Sequence, residues 1–352
     1  MTWQGIEGHD SVVAQLVQAS GRERVAGSYL FIGPAGIGKA TFARKLAKAI
    51  VCTAPREGLV PCDACASCVQ AEAGSHPDID VVQKPEDRAT IPLEAFIGDA
   101  DHRMREGLCW RLLLRPALGR RKVAIVLDAD HLSEEAANCL LKTLEEPPDG
   151  VVIILVGTSL ERQLPTIRSR CQIVRFRPLS ADAIAGILGR EAATGRLQVD
   201  DSQLRACAAA CGGSLERARV LLDPAVAEFR ARLLAILAHR PLRGVELARE
   251  TQAVVEAAGK DAPPRRARLR IVLEAAIDFY RAALRFDVAG EAPVDPAVAR
   301  AVAAWGGDAE EAAAAVAHTL EAVEAIDRNA NLAVLVDAWT AILEQPRLAQ
   351  ST

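Results

Sequence analysis

The sequence predicts an α/β domain built on a mostly parallel sheet, then a small helical domain, then a larger all-helical one. Three observations carry that expectation. Apolar, strand-like runs alternate with helical segments as far as Arg177-Pro178-Leu179. Beyond that point strand signals stop, and the chain becomes rich in Ala, Leu and Arg. Between an early strand and an early helix lies a glycine-framed loop, Gly33-Pro34-Ala35-Gly36-Ile37-Gly38-Lys39, of the kind that cradles phosphate.

Strands are expected at Ser28–Ile32, Ile79–Val82, Val123–Leu127, Val151–Val156 and Gln172–Phe176. Several are unbroken Val/Ile/Leu runs, as befits strands covered on both faces. The glycine loop opens a helix over Thr41–Ile50, with Phe42, Leu46 and Ile50 on one side. A second helix starts at Ser133, a good N-cap, with Glu134 and Glu135 favourable in its first turn. Its apolar residues Ala137, Leu140, Leu141 and Leu144 fall at i, i+3, i+4 and i+7, and Pro147-Pro148 end it. Domain boundaries are placed at 1–179, 180–223 and 224–352, the middle segment being broken by Gly212-Gly213. In the last domain Val226, Phe229, Leu233 and Leu237 mark one amphipathic helix, and Leu269, Leu273, Ile277, Tyr280 and Leu284 another. Asp261-Ala262-Pro263-Pro264 reads as the loop before the latter. Alanine richness around Ala312–Ala317 reads as helix, with Val316, Leu320 and Val323 keeping helical spacing.

Bulk properties exclude several classes. The chain has 352 residues, half of them apolar, a quarter charged, and a net charge of −4. No apolar run approaches the roughly 20 residues of a membrane span. Met1-Thr2-Trp3-Gln4-Gly5 has neither the basic start nor the apolar stretch of a signal peptide. Nine cysteines without an export signal argue for thiols or metal over disulfides, and the expected compartment is the cytoplasm. Mild acidity confines any nucleic-acid contact to local patches. Arg120-Arg121-Lys122 and the group Arg265, Arg266, Arg268 and Arg270 are basic, but each reads first as a solvated face.

Four motifs carry chemistry. In the glycine loop, backbone amides and Lys39 supply donors and charge for phosphate, but the Ser or Thr that normally ligates Mg²⁺ is Ala40. Thr41 is rotated about 100° around the helix, so its hydroxyl is expected to point elsewhere. The strand Val123–Leu127 ends in Asp128, placed to hold Mg²⁺ through water, while the next position, where an activating Glu would stand, is Ala129. Asp130, one step further along an extended segment, is expected to face the wrong way. Cys52, Cys62, Cys65 and Cys68 form C-x9-C-x2-C-x2-C, a spacing suited to a closed, structural zinc site. Cys109, Cys139, Cys171, Cys207 and Cys211 are scattered and read as small core residues. Finally, Arg168 and Arg170 lie just before the last strand, where an arginine can reach a nucleotide held by a neighbouring subunit.

The run Leu140-Leu141-Lys142-Thr143-Leu144-Glu145-Glu146-Pro147-Pro148, the triplet Ser169-Arg170-Cys171 and the inserted four-cysteine module together resemble the bacterial DNA polymerase III clamp-loader ATPases of the AAA+ superfamily. The likeness continues weakly to Ala325-Ile326-Asp327-Arg328-Asn329-Ala330-Asn331, similar to the family's late collar helices. It implies a RecA-like AAA+ domain with a zinc module, a helical lid and a helical collar. Loss of the loop hydroxyl and of the Asp-Glu pair is most like the delta-prime subunit, and so is a chain that stops soon after the collar. The motor subunits gamma and tau keep both groups. The resemblance then implies a stator without its own ATPase that helps load the sliding clamp onto primed DNA beside gamma/tau and delta subunits. Arg170 becomes a finger acting in trans. Gly33, Gly36, Gly38, Lys39, Asp128 and Thr158, the last at the sensor-1 position, form a degenerate nucleotide site that still admits ATP or ADP but has an impaired Mg²⁺ site. Gly213-Ser214-Leu215-Glu216-Arg217 matches the sensor-2 segment, with Glu216 where motor subunits carry Arg and Arg217 one residue beyond. The rivals are an active gamma/tau-like ATPase, using Thr41 or Asp130, and a nucleotide-sensing protein outside replication. No clustered acidic residues of a two-metal polymerase site are present.

Overall fold

The computed structural model describes residues 3–344 except 21–26, 86–87, 104, 119–120, 196 and 198. Arg120 therefore lies outside the described residues. Five parallel strands form the sheet: β1 (Ser28–Ile32), β2 (Ile79–Val82), β3 (Lys122–Val126), β4 (Val151–Gly157) and β5 (Gln172–Arg175). Their order is β2-β3-β4-β1-β5, so β1, which feeds the glycine loop, sits between β4 and β5. Leu30 lies opposite Leu155 on one side and Ile173 on the other. Each expected strand is present, to within a residue at either end.

The unbroken apolar runs have the predicted cause, since both sheet faces are covered. On one face Tyr29, Phe31, Val123, Ile125, Val152 and Ile154 pack with Phe42 and Leu46 of the helix Lys39–Val51. On the other, Leu30, Ala124, Val126, Ile153 and Leu155 pack with Phe96, Leu108, Leu112, Leu140 and Leu144. The alternation of neighbours along each strand follows from the two-residue repeat of side-chain direction.

The helix Glu134–Glu145 is capped as expected, with the Ser133 hydroxyl accepting from the Ala136 amide at 3.1 Å. Ser133→Ala should destabilise by about 1 kcal/mol. Thermal melting of the purified chain checks this, and an unchanged melting temperature would count against the cap.

By contact density the chain divides into two compact units: Met1–Leu197 with Gly212–Arg217, and Gln198–Cys211 with Ala218–Thr352. The second unit is helical. Val226, Phe229, Leu233 and Leu237 are buried as their spacing predicts, as are Leu269, Leu273, Ile277 and Tyr280. One expectation needs correction, and the helix expected around Ala312–Ala317 is present. Ala262-Pro263-Pro264 is not a loop but the first turn of the helix Ala262–Ala289. Proline is tolerated there, because first-turn amides have no intrahelical acceptor to lose. In the helix Ala309–Asp327 the buried stripe is Ala312, Ala315, Thr319, Ala322 and Ile326, while Leu320 is exposed. Small side chains make that face, which lets the helix approach its neighbour Ala262–Ala289 closely. No helix among the described residues is long and apolar enough to cross a membrane.

Candidate nucleotide site and cysteine cluster

β1 delivers the chain directly into the glycine loop. A Cβ on Gly33 would stand 2.5 Å from the Phe176 carbonyl oxygen, and Gly38 takes a φ of +94°, so neither position tolerates a larger residue. Gly38 then precedes the first turn of the helix Lys39–Val51 without a side-chain cap, leaving backbone donors at a positive dipole end. Lys39 is buried, and its Nζ donates to the carbonyl oxygens of Gly33 at 2.6 Å and Pro34 at 2.5 Å. Burial pulls its pKa from 10.5 down to about 8, against the opposing charges of Asp130 and Glu216. The amine is thus still a cation at pH 7. As pH rises from about 8 towards 10.5 the folded form gains stability relative to the unfolded chain, because it surrenders this proton first. His9, absent from the sequence reading, buttresses the loop: its Nε2 lies 2.8 Å from the Ile37 carbonyl oxygen and its ring packs edge-on against Phe176. An isolated histidine gives no spacing signal by which to find it.

The acids are arranged differently from the sequence expectation. Asp128 adopts a left-handed backbone (φ 55°) and is exposed, with its carboxylate 3.4 Å from the Lys84 amide. Residues Ala129–His131 form a short helical turn, not an extended segment. The alternation used to discount Asp130 therefore does not apply. Asp130 Oδ2 accepts from the Thr158 amide at 2.7 Å, its Oδ1 accepts from Gln163 Nε2 at 2.5 Å, and its charge acts on Lys39. Asp130 and Glu216 both act on Lys39 through their charge. Thr158 follows the end of β4. Ala129 is buried and Thr41 exposed.

The segment Gly212–Arg217 belongs to the same compact unit as the loop. The Leu215 and Glu216 amides both donate to the Gly36 carbonyl oxygen, at 3.0 and 3.3 Å.

Arg170 is held on the surface by its own chain. Its Nε donates to Glu145 Oε1 at 2.6 Å, its Nη2 pairs with the same oxygen, and its Nη1 donates to the Thr166 carbonyl oxygen at 3.0 Å. The fork is thereby fixed at the C-terminal end of the helix Glu134–Glu145, within the run that ends in Pro147-Pro148. Lys122, read from sequence as solvated, is buried, and its Nζ donates to the Arg111 carbonyl oxygen at 2.8 Å.

The four cysteines converge. Cys52 follows the helix Lys39–Val51, and Cys65 caps the helix Ala66–Glu72. Their sulfurs lie within 4.8 Å of one another, with Cys52–Cys65 at 4.0 Å and Cys62–Cys68 at 3.9 Å. A tetrahedral ion with metal–sulfur bonds of about 2.3 Å needs sulfurs about 3.8 Å apart. The amides of Cys62, Cys65 and Cys68 each point at the sulfur of another member, at 3.3 to 3.4 Å, as donors to thiolates would. The donor set fits a metal ion. Lys48 ties the module to the loop helix through Asp63 and Glu72, both at 2.7 Å. Cys109, Cys207 and Cys211 are buried and Cys139 and Cys171 half-buried, none of them in this cluster.

Residues 8–180 match the family described as DNA polymerase III, delta subunit. The chain is 32% identical over 225 residues to DNA polymerase III subunit tau of Bacillus subtilis, covering 64% of this chain and 38% of that one. It is 34% identical over 173 residues to the delta-prime subunit of B. subtilis, covering 49% of each, and 36% identical over 154 residues to that of Pseudomonas aeruginosa, covering 44% of each. The chain thus spans less than half the length of these relatives.

Proposed function

Because residues 8–180 belong to the bacterial DNA polymerase III clamp-loader family of AAA+ proteins, we propose that the chain is a delta-prime-like stator of the loader. In this reading it does not hydrolyse ATP. It lends Arg170 to a neighbouring motor subunit and helps place the sliding clamp on primed DNA, in a complex with gamma/tau and delta subunits. The observation that carries the reading is a pairing of losses with a retention. Ala40 and Ala129 stand where a magnesium ligand and a water-activating acid belong, while Ser169-Arg170-Cys171 is intact. The nucleotide site of Gly33, Gly36, Gly38, Lys39 and Thr158 is then degenerate, and Asp128, turned to solvent, contributes little to it. The four-cysteine module holds structural zinc. Residues 1–179 act as the AAA+ domain, 180–223 as its lid and 224–352 as the collar that joins the ring.

Asp130 favours a second reading, an active gamma-like motor, since it puts an acid against Thr158 and within electrostatic reach of Lys39. Steady-state hydrolysis by the purified chain decides between them. The stator reading expects turnover at background, unchanged in Lys39→Ala. Turnover that disappears in that variant establishes the motor.

A further inference from the structure

We propose that Glu216 decides what the phosphate loop accepts, standing at the loop as a built-in anion that turns away a nucleotide triphosphate. The inference rests on reading Gly33–Lys39 as a phosphate cradle. It adds a cause of selectivity separate from the missing water-activating acid, which affects turnover, and from the missing Mg²⁺ ligand at Ala40.

The geometry is specific. The Leu215 and Glu216 amides clasp the Gly36 carbonyl oxygen. The segment is seated so tightly that a Cβ on Gly36 would stand 2.2 Å from Ser214 Oγ, 2.8 Å from Glu216 Cβ and 3.2 Å from Glu216 Oε2. Gly36 itself has a φ of +72°, a conformation glycine adopts freely. The Glu216 carboxylate is therefore brought to the loop by backbone bonds as well as by its own charge. Lys39, the amine meant for phosphate, is buried and already donates to two loop carbonyls. Its charge is opposed by both Glu216 and Asp130. These three groups sum to one negative charge before any ligand arrives. A triphosphate entering this place must separate Lys39 from its carbonyl acceptors and meet the charges of Glu216, which is exposed at the loop, and of Asp130, so the repulsion weakens as salt rises. An arginine in place of Glu216 would reverse the sign of that encounter.

The test is binding of a fluorescent ATP analogue, with Mg²⁺, to the full chain and to Glu216→Gln, Glu216→Ala and Glu216→Arg. Thermal melting of each variant establishes that it is folded. Affinity should rise by about tenfold or more in Glu216→Gln, which keeps the shape and removes only the charge. Glu216→Arg should bind more tightly still, and adding Lys39→Ala should abolish each gain. Folded Glu216 variants that bind as the parent does, whether in a Lys39-dependent manner or not at all, overturn the proposal. A gain that survives Lys39→Ala overturns instead the phosphate-cradle reading beneath it.

Discussion

On the stator reading, Arg170→Ala should slow single-turnover ATP hydrolysis at the site of a neighbouring motor subunit by about 10³-fold or more. The argument begins with what a planar guanidinium does at a transferring phosphoryl group. It offers several N–H donors in a fixed fork and stabilises charge that grows only in the transition state. At rest Glu145 holds two nitrogens of Arg170 and the Thr166 carbonyl oxygen a third, so the fork must exchange these partners for a phosphate, at the modest cost of one partly exposed ion pair. Arg170→Lys keeps the charge but loses the fork, and should recover only a small part of the rate. Because the side chain is on the surface, neither variant should change the chain's melting temperature appreciably. Complex formation, followed by gel filtration, separates a lost finger from a lost contact. An intact complex with an unchanged rate removes Arg170 from the mechanism.

The sheet was readable because its strands are buried on both faces, which writes them as continuous runs such as Val151-Val152-Ile153-Ile154-Leu155. The glycine loop was readable for a related reason: its steric demands at Gly33 and Gly38 admit few other residues. For Asp130, sequence alone supports only the assumption of an extended chain past the end of β3. The left-handed turn at Asp128 breaks that assumption, and Asp is among the residues that enter such a conformation with little cost. The alanine face of Ala309–Asp327 was hidden for another reason. Hydrophobic spacing weights large side chains, whereas close helix packing selects small ones. Glu216 was legible as a departure from pattern, but its seat against Gly36 depends on residues 180 positions apart, which local periodicity does not encode.

Removing metal should produce the other large effect. Chelation, or Cys65→Ser, should unfold the module between Cys52 and Glu72 and lower the thermal stability of the chain. Apart from the sulfur cluster, the segment between Cys52 and Cys65 is held by Leu59 packed against the sheet core and by the Trp3 Nε1 hydrogen bonds to the Gly58 and Leu59 carbonyl oxygens. Of its residues, Pro61 is buried and Gly58, Leu59 and Val60 are half-buried, while the turns at Leu59 and Asp63 have positive φ. A structural zinc bound by such a segment supplies on the order of 10 kcal/mol to the local fold. The ion pairs of Lys48 with Asp63 and Glu72 join the module to the helix Lys39–Val51, but both carboxylates are more than half exposed and water screens them. They orient the module and do not hold it without the ion. The sheet has its own core on both faces, so loss of the module should leave its far-ultraviolet signal largely intact while one lower-temperature transition appears. Elemental analysis should find one zinc per chain before chelation and none after. A chain that purifies without metal and melts identically with or without chelator would leave the four sulfurs as a reduced cluster with no ion to organise.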